Sequence, residues 1–122
     1  MSIESQKKFQ ENTNEQATIF STLADPTRLK LVKLLCSQRD PDALCVNALA
    51  NLLGVTQSAI SQHLRVLKSI GLVKGERRGY HIHYFVNWDV LEQYRRLTAA
   101  ALGIEESDMR KRALSIKENN EG

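Results

Sequence analysis

Residues 46–71, VNALANLLGVTQSAISQHLRVLKSIG, constrain the fold more tightly than any other part of the chain. Val46, Leu49, Ala50, Leu52 and Leu53 give a first short helix an apolar face. Gly54 falls where that helix needs a left-handed residue to stop, a conformation glycine adopts without a Cβ clash. Thr56 is suited to N-cap a second helix, because its hydroxyl can accept from one of the first unpaired N–H groups. On that second helix Ile60, Leu64 and Leu67 recur at helical spacing and should point inward. Ser58, Ser61, Gln62, Arg65 and Lys68 recur on the opposite side and should point outward. Together these features predict a helix-turn-helix pair.

The outward face is short, polar and positive, with no Asp or Glu between Gln57 and Ile70. Such a face suits the major groove of double-stranded DNA, where Gln and Arg meet base edges and Ser meets phosphates. The second helix is then the reader. A polar helix face is also what any solvated surface helix shows, so the residues that follow must separate the two readings.

Leu72-Val73-Lys74 reads as a short strand, Glu76-Arg77-Arg78-Gly79 as a turn, and Tyr80 to Val86 as a return strand of alternating aromatic and β-branched residues. A β-hairpin directly behind a reading helix is a wing. Its expected tip carries Arg77 and Arg78, placed to meet phosphates or to enter the adjacent minor groove. From Gln57 to His83 the bases Arg65, Lys68, Lys74, Arg77 and Arg78 face a single acid, Glu76. The whole chain carries only +3, so the positive charge is concentrated where the reader and wing lie.

The flanking segments complete the architecture. Residues 1–16 form a polar N-terminal segment, helical or frayed. Residues 17–104 make one winged helix-turn-helix domain, and residues 105–122 a charged C-terminal tail, a short helix at most. Asp25-Pro26 marks a helix start, with Asp as N-cap and Pro at the first helical position. The helix that follows, to Cys36, carries Leu29, Leu31, Val32, Leu34 and Leu35 as the central core helix. Val90, Tyr94, Leu97, Ala101 and Ile104 step by four and three along the last main helix and form a continuous seam. That seam can fold back on its own core or meet its twin across a two-fold axis, and a DNA reader gains a second half-site from the twin. The expected class is mainly α with a small β-hairpin wing (α+β), in the order α-α-α-α-β-β-α, a homodimer through its terminal helices.

At 122 residues the chain has room for a single core. Cys36 and Cys45 make no disulfide framework, and no apolar run nears the ~18 residues of a membrane span. No signal-peptide pattern opens the chain, so a cytoplasmic location is expected. No nucleophile–base pair, phosphate loop or carboxylate pair points to an enzyme.

LADPTRLKLVKLL (residues 23–35), LCVNALANLLGVTQSAISQHLRVLKSIGLV (44–73) and the wing resemble the arsenical-resistance repressor (ArsR/SmtB) family. The resemblance covers about residues 17–102 and rests on the Asp-Pro-Thr-Arg helix start together with the Ser-Gln-His-Leu reading helix. It implies a homodimer built on the first and last helices, with Phe20, Val90, Tyr94, Leu97, Ala101 and Ile104 as the candidate interface. It implies repression through an operator, an inverted repeat in double-stranded DNA, relieved when an effector docks. The DNA-contacting set is then Thr56, Gln57, Ser58, Ser61, Gln62, His63, Arg65, Lys68, Arg77 and Arg78. The family often turns the His63 position toward the DNA backbone; a partly buried polar residue is the other reading.

Many members of that family sense metals. Its thiol site uses Cys-Val-Cys, whereas this chain reads Cys45-Val46-Asn47, and one thiolate cannot hold a soft metal alone. Its other site places Asp and His pairs on the terminal helix, but residues 88–104 contain no His, and Asp89 stands alone. Neither family metal site is complete, and no cofactor is expected. His81 and His83 share one face of the wing strand and, with Cys45, are the remaining metal candidates against a plain wing surface. Cys36 and Cys45 are candidates for a redox pair against two core cysteines. The effector is left unidentified. The alternative function is a winged-helix module that binds protein, for which the outward face of residues 57–69 lacks large aromatic anchors.

Overall fold

The computed structural model describes residues 2–39, 43–103 and 106–121, except for the side chains of 4–11, 106–109 and 118–121. Its elements are α1 (Ile3–Leu23), α2 (Pro26–Ser37), β1 (Leu44–Cys45), α3 (Val46–Leu53), α4 (Gln57–Ser69), β2 (Val73–Arg78), β3 (His81–Val86), α5 (Trp88–Ala101) and α6 (Glu106–Glu121). Ile104 and loop residues 40–42 lie outside the described residues.

The break between α1 and α2 is built as the sequence suggests. Asp25 Oδ1 accepts from the Arg28 backbone N–H at 3.0 Å, and Pro26 opens the helix. That hydrogen bond holds the Asp25 carboxyl below its usual range, with His63 and Arg28 lowering it further. Along α2 only Leu31, Val32 and Leu35 are buried. Leu29, expected in the core, is exposed, because a straight helix against one core can bury only one stripe.

Those three side chains join Leu49 and Ala50 of α3, Ile60, Leu64 and Leu67 of α4, and Leu72, Val73, Tyr84 and Val86 of the wing in one cluster. Gly54 closes α3 at φ 66°, its N–H bonded to the Ala50 carbonyl. The Val55 N–H reaches the same carbonyl at 3.1 Å, and Thr56 Oγ1 accepts from Ala59 N at 3.1 Å to start α4. The turn therefore satisfies its own backbone and sets the angle between the two helices.

Two elements depart from expectation. β1 is only two residues long and pairs antiparallel with β3, Leu44 opposite Tyr84 and Cys45 opposite His83, giving a sheet of order β1-β3-β2. Gln38 fastens it, donating to the Tyr84 carbonyl and accepting from Leu44 N at 3.2 Å. The C-terminal segment forms a helix, α6, rather than a short helix at most. Its backbone follows strong helix formers with no interior Gly or Pro, and its described side chains, 110–117, are all exposed.

The α5 seam divides its work. Val90, Leu91 and Tyr94 pack on the chain's own core, and the Tyr94 hydroxyl donates to the Ile70 carbonyl. Val90 and Tyr94, half-buried candidates for the interface, thus also dock α5 on its own domain. Farther along, Gln16 of α1 donates to the Leu97 carbonyl at 3.0 Å and ties the two long helices together.

Gly54→Ala should lower stability by about 1 kcal/mol, from the left-handed backbone alone, since an added Cβ would meet nothing within 4 Å. Urea unfolding measures it, and an unchanged midpoint would contradict the account.

Candidate nucleic-acid interface

The reading helix presents the polar face expected of it. With Ile60, Leu64 and Leu67 fixed inside, Gln57, Ser58, Ser61, Gln62, Arg65 and Lys68 are exposed along one side of α4. Thr56 stands at the head of that face, its hydroxyl engaged as the cap. Val66, at 36% exposure, is the one large apolar side chain exposed on α4. No aromatic anchor accompanies it, as a protein-binding hot spot would need.

His63 departs from this face. Its ring turns back toward the α1–α2 elbow, Nδ1 lying 3.4 Å from an Arg28 guanidinium nitrogen and Nε2 4.0 Å from Asp25 Oδ1. The structure therefore favours the partly buried reading of His63 over a groove-facing one.

The wing is a tight hairpin paired from Val73–Val86 through to Arg78–His81. Its tip is Gly79-Tyr80, not the Glu76–Gly79 turn that the sequence suggests. Gly79, at φ 66°, takes the first central position of a two-residue turn, which a type II′ turn reserves for glycine. Tyr80 stands at that tip, 99% exposed. Sequence alternation had absorbed it into the strand; the signal that could have found it was the Gly-Tyr pair at a hairpin midpoint.

Arg77 and Arg78 are consecutive in a strand and so lie on opposite faces of the sheet. Arg77 shares its face with Tyr84, which lies across Gly75 and lines a groove of about 250 Å³ with Ser61, Arg65 and Lys68 of the reading helix. Gly75 is what permits this, since a Cβ there would come within 2.9 Å of Ile82 and 3.3 Å of Tyr84. Arg77 is exposed on the reader's side of the wing. Arg78 is half-buried on the other face, its guanidinium 4.8 Å from the Phe85 ring centre and 3.8 Å from Glu76.

The metal candidates Cys45, His81 and His83 occupy that other face, while Cys36 lies on α2. Cys45, His83 and Glu76 stand opposite one another on β1, β3 and β2, and His81 lies exposed nearer the tip. Among the described residues, the buried Nδ1 of His83 has no hydrogen-bond partner. Among the described residues no three His, Cys, Asp or Glu side chains gather as a metal site. Cys36 and Cys45 are both free and half-buried, and burial pushes the Cys36 thiol up, away from the reactive thiolate. No helix among the described residues is long and apolar enough to cross a membrane.

A fourth surface lies between α1 and α5. Asn12, Thr13, Gln16, Ala17, Phe20, Ala100 and Ala101 line a groove of about 470 Å³. Phe20 is 43% exposed beside it, Leu97 is half-buried, and Leu102 continues the apolar surface.

A capped helix-turn-helix, a basic polar reading face and an adjoining hairpin define a winged helix-turn-helix regulator of transcription. The family profile of bacterial regulatory proteins of the arsR family matches residues 25–74. A transcriptional repressor SmtB homolog from Synechocystis is 38% identical over 99 residues, covering 80% of this chain and 70% of that protein. The crystal structure of a possible transcriptional regulator for arsenical resistance superposes with a TM-score of 0.60 at 37% identity, over 77% of this chain and 93% of that one. The homodimeric winged helix-turn-helix DNA-binding domain of a possible ArsR-family regulator from Mycobacterium bovis gives a TM-score of 0.59 at 25% identity, over 83% and 87%. The chain belongs to the arsR family of bacterial regulatory proteins.

Thr56→Ala should cost about 1 kcal/mol and fray the first turn of α4, while Thr56→Ser keeps the cap. Hydrogen exchange at Ser58 and Ala59 reads the fraying, and equal protection in both variants would contradict the capping role.

Proposed function

We propose that this protein is a homodimeric repressor that reads an inverted-repeat operator with α4 and grips its flanks with the wing. The observation that carries the reading is the outward row Gln57, Ser58, Ser61, Gln62, Arg65 and Lys68, held in place by the buried row Ile60, Leu64 and Leu67. Gln and Arg on that row have the donor and acceptor geometry for base edges, and Ser and Lys that for phosphates. Arg77 and Tyr80 are the wing's contacts, the one toward phosphate and the other, an amphipathic ring at the tip, toward the minor-groove edge. Arg78 supports them from behind, since its charge is shared with Glu76 and Phe85.

Phe20, Leu97 and Ala101 support the dimer, with the groove between α1 and α5 as its seat. The Mycobacterium bovis relative is homodimeric, and a second copy seated there would cover apolar surface that this chain leaves open. An effector that alters this dimer, or the wing behind it, would release the operator.

Arg65→Ala should weaken binding to the native upstream DNA by about 1–3 kcal/mol and leave binding to shuffled DNA nearly unchanged. Equal losses on both would make Arg65 a phosphate contact. Arg77→Ala should flatten the dependence of affinity on salt by about one phosphate's worth, and more than Arg78→Ala does. Filter binding across a salt series measures both, and equal slopes for all three proteins would remove the wing from the interface.

A further inference from the structure

His63 stands on the reading helix but spends its polar atoms elsewhere. The Arg28 guanidinium can only donate, so the His63 Nδ1, 3.4 Å from it, is the acceptor side of that contact, and Nε2 is the edge that faces Asp25. Arg28 Nε donates in turn to the Thr22 carbonyl in the last turn of α1, at 2.7 Å. Asp25 Oδ1 is the cap of α2. One polar joint thus fastens the end of α1, the start of α2 and the middle of α4. The Asp-Pro-Thr-Arg and Ser-Gln-His-Leu motifs, 35 residues apart at Arg28 and His63, are the two halves of this joint.

The physical need for such a joint follows from the rest of α4. Ile60, Leu64 and Leu67 fix its depth, but apolar burial is non-directional and tolerates rotation about the helix axis. Hydrogen bonds weaken steeply with angle, so a polar contact on the flank of the helix fixes that rotation. Base readout is demanding in the same way, because a bidentate contact needs both of its atoms placed. The geometry points to His63 as a positioning residue: through Arg28 and Asp25 it sets the rotation of the reading helix against α1, the helix that carries Phe20. This rests on the proposed reading of DNA by α4. It makes sequence discrimination, rather than charge attraction, the property that depends on His63.

The test uses the full-length protein and a DNA duplex selected by the wild type from a random-sequence pool, against a scrambled duplex of equal composition. His63→Leu should lower affinity for the selected duplex about tenfold and leave the scrambled duplex and the salt slope unchanged. Arg28→Ala should do the same, and the double variant should be no worse than the worse single one. His63→Gln, whose amide oxygen can accept from Arg28, should recover most of the loss, and His63→Asn, one methylene shorter, should not. The Gln and Asn pair carries the test if the Leu variant fails to fold. Equal weakening on both duplexes with a shallower salt slope would make His63 a phosphate contact and overturn the proposal, as would additive losses or no loss. If wild type enriches no sequence, the DNA reading itself fails. The joint is then judged by urea unfolding of the same variants, where additive effects of His63→Leu and Arg28→Ala would overturn it.

Discussion

The burial of Ile60, Leu64 and Leu67 against Leu31, Leu35, Leu49 and Leu72 is the constraint on which the rest of this molecule depends. A polar face of six short or flexible side chains has no means of holding its own helix in place. Each fully buried Leu or Ile contributes about 1.5–3 kcal/mol of transfer free energy, and three on one stripe hold α4 at fixed depth. The face opposite that stripe is therefore presented, not merely exposed. Gly54 and Thr56 then set where the helix begins and at what angle to α3.

The wing adds reach at little cost in core. Val73, Tyr84 and Val86 anchor its base in the cluster, and its distal half has no core beneath it. Tyr84 lying over Gly75 keeps the hairpin against the reading helix, while the Gly79 turn carries Tyr80 to the far end. Because the two arginines fall on opposite faces of one strand, they cannot share a role. Arg77 faces the reader's side, and Arg78 lies over Phe85 beside Glu76. A solvent-accessible, half-buried cation–π contact of this kind is worth on the order of 1 kcal/mol, enough to bias a side chain without immobilising it.

What the sequence reveals is what is written in local chemistry. Gly54, Thr56 and Asp25-Pro26 announce helix ends through backbone requirements that no tertiary contact supplies, and the Ile60–Leu64–Leu67 spacing announces the buried stripe. What it conceals depends on partners far along the chain. Leu44-Cys45 is too short for any period of two to register, and it is a strand only because β3 and Gln38 receive it. The hairpin turn falls two residues later than its charged residues suggest, because ladder pairing continues to Arg78. The α5 seam reads as one surface, yet Val90 and Tyr94 meet the domain's own core while Leu97 lies beside α1. α6 escapes notice because it has helix-forming residues without an apolar period. His63 carries no local sign of its orientation, since its partners, Arg28 and Asp25, are more than thirty residues away.

The central claim is that α4 lies in a major groove, that the wing lies in the minor groove beside it, and that a two-fold axis repeats the arrangement. Chemical footprinting on the native upstream DNA tests it most directly, with dimethyl sulfate reporting guanine N7 in the major groove and hydroxyl radical reporting the backbone. The account predicts two patches of N7 protection related by a dyad, centred about one helical turn or a multiple of it apart, each flanked by backbone protection. Backbone protection without any N7 protection would contradict it, because α4 would then be lying on the duplex and not in its groove.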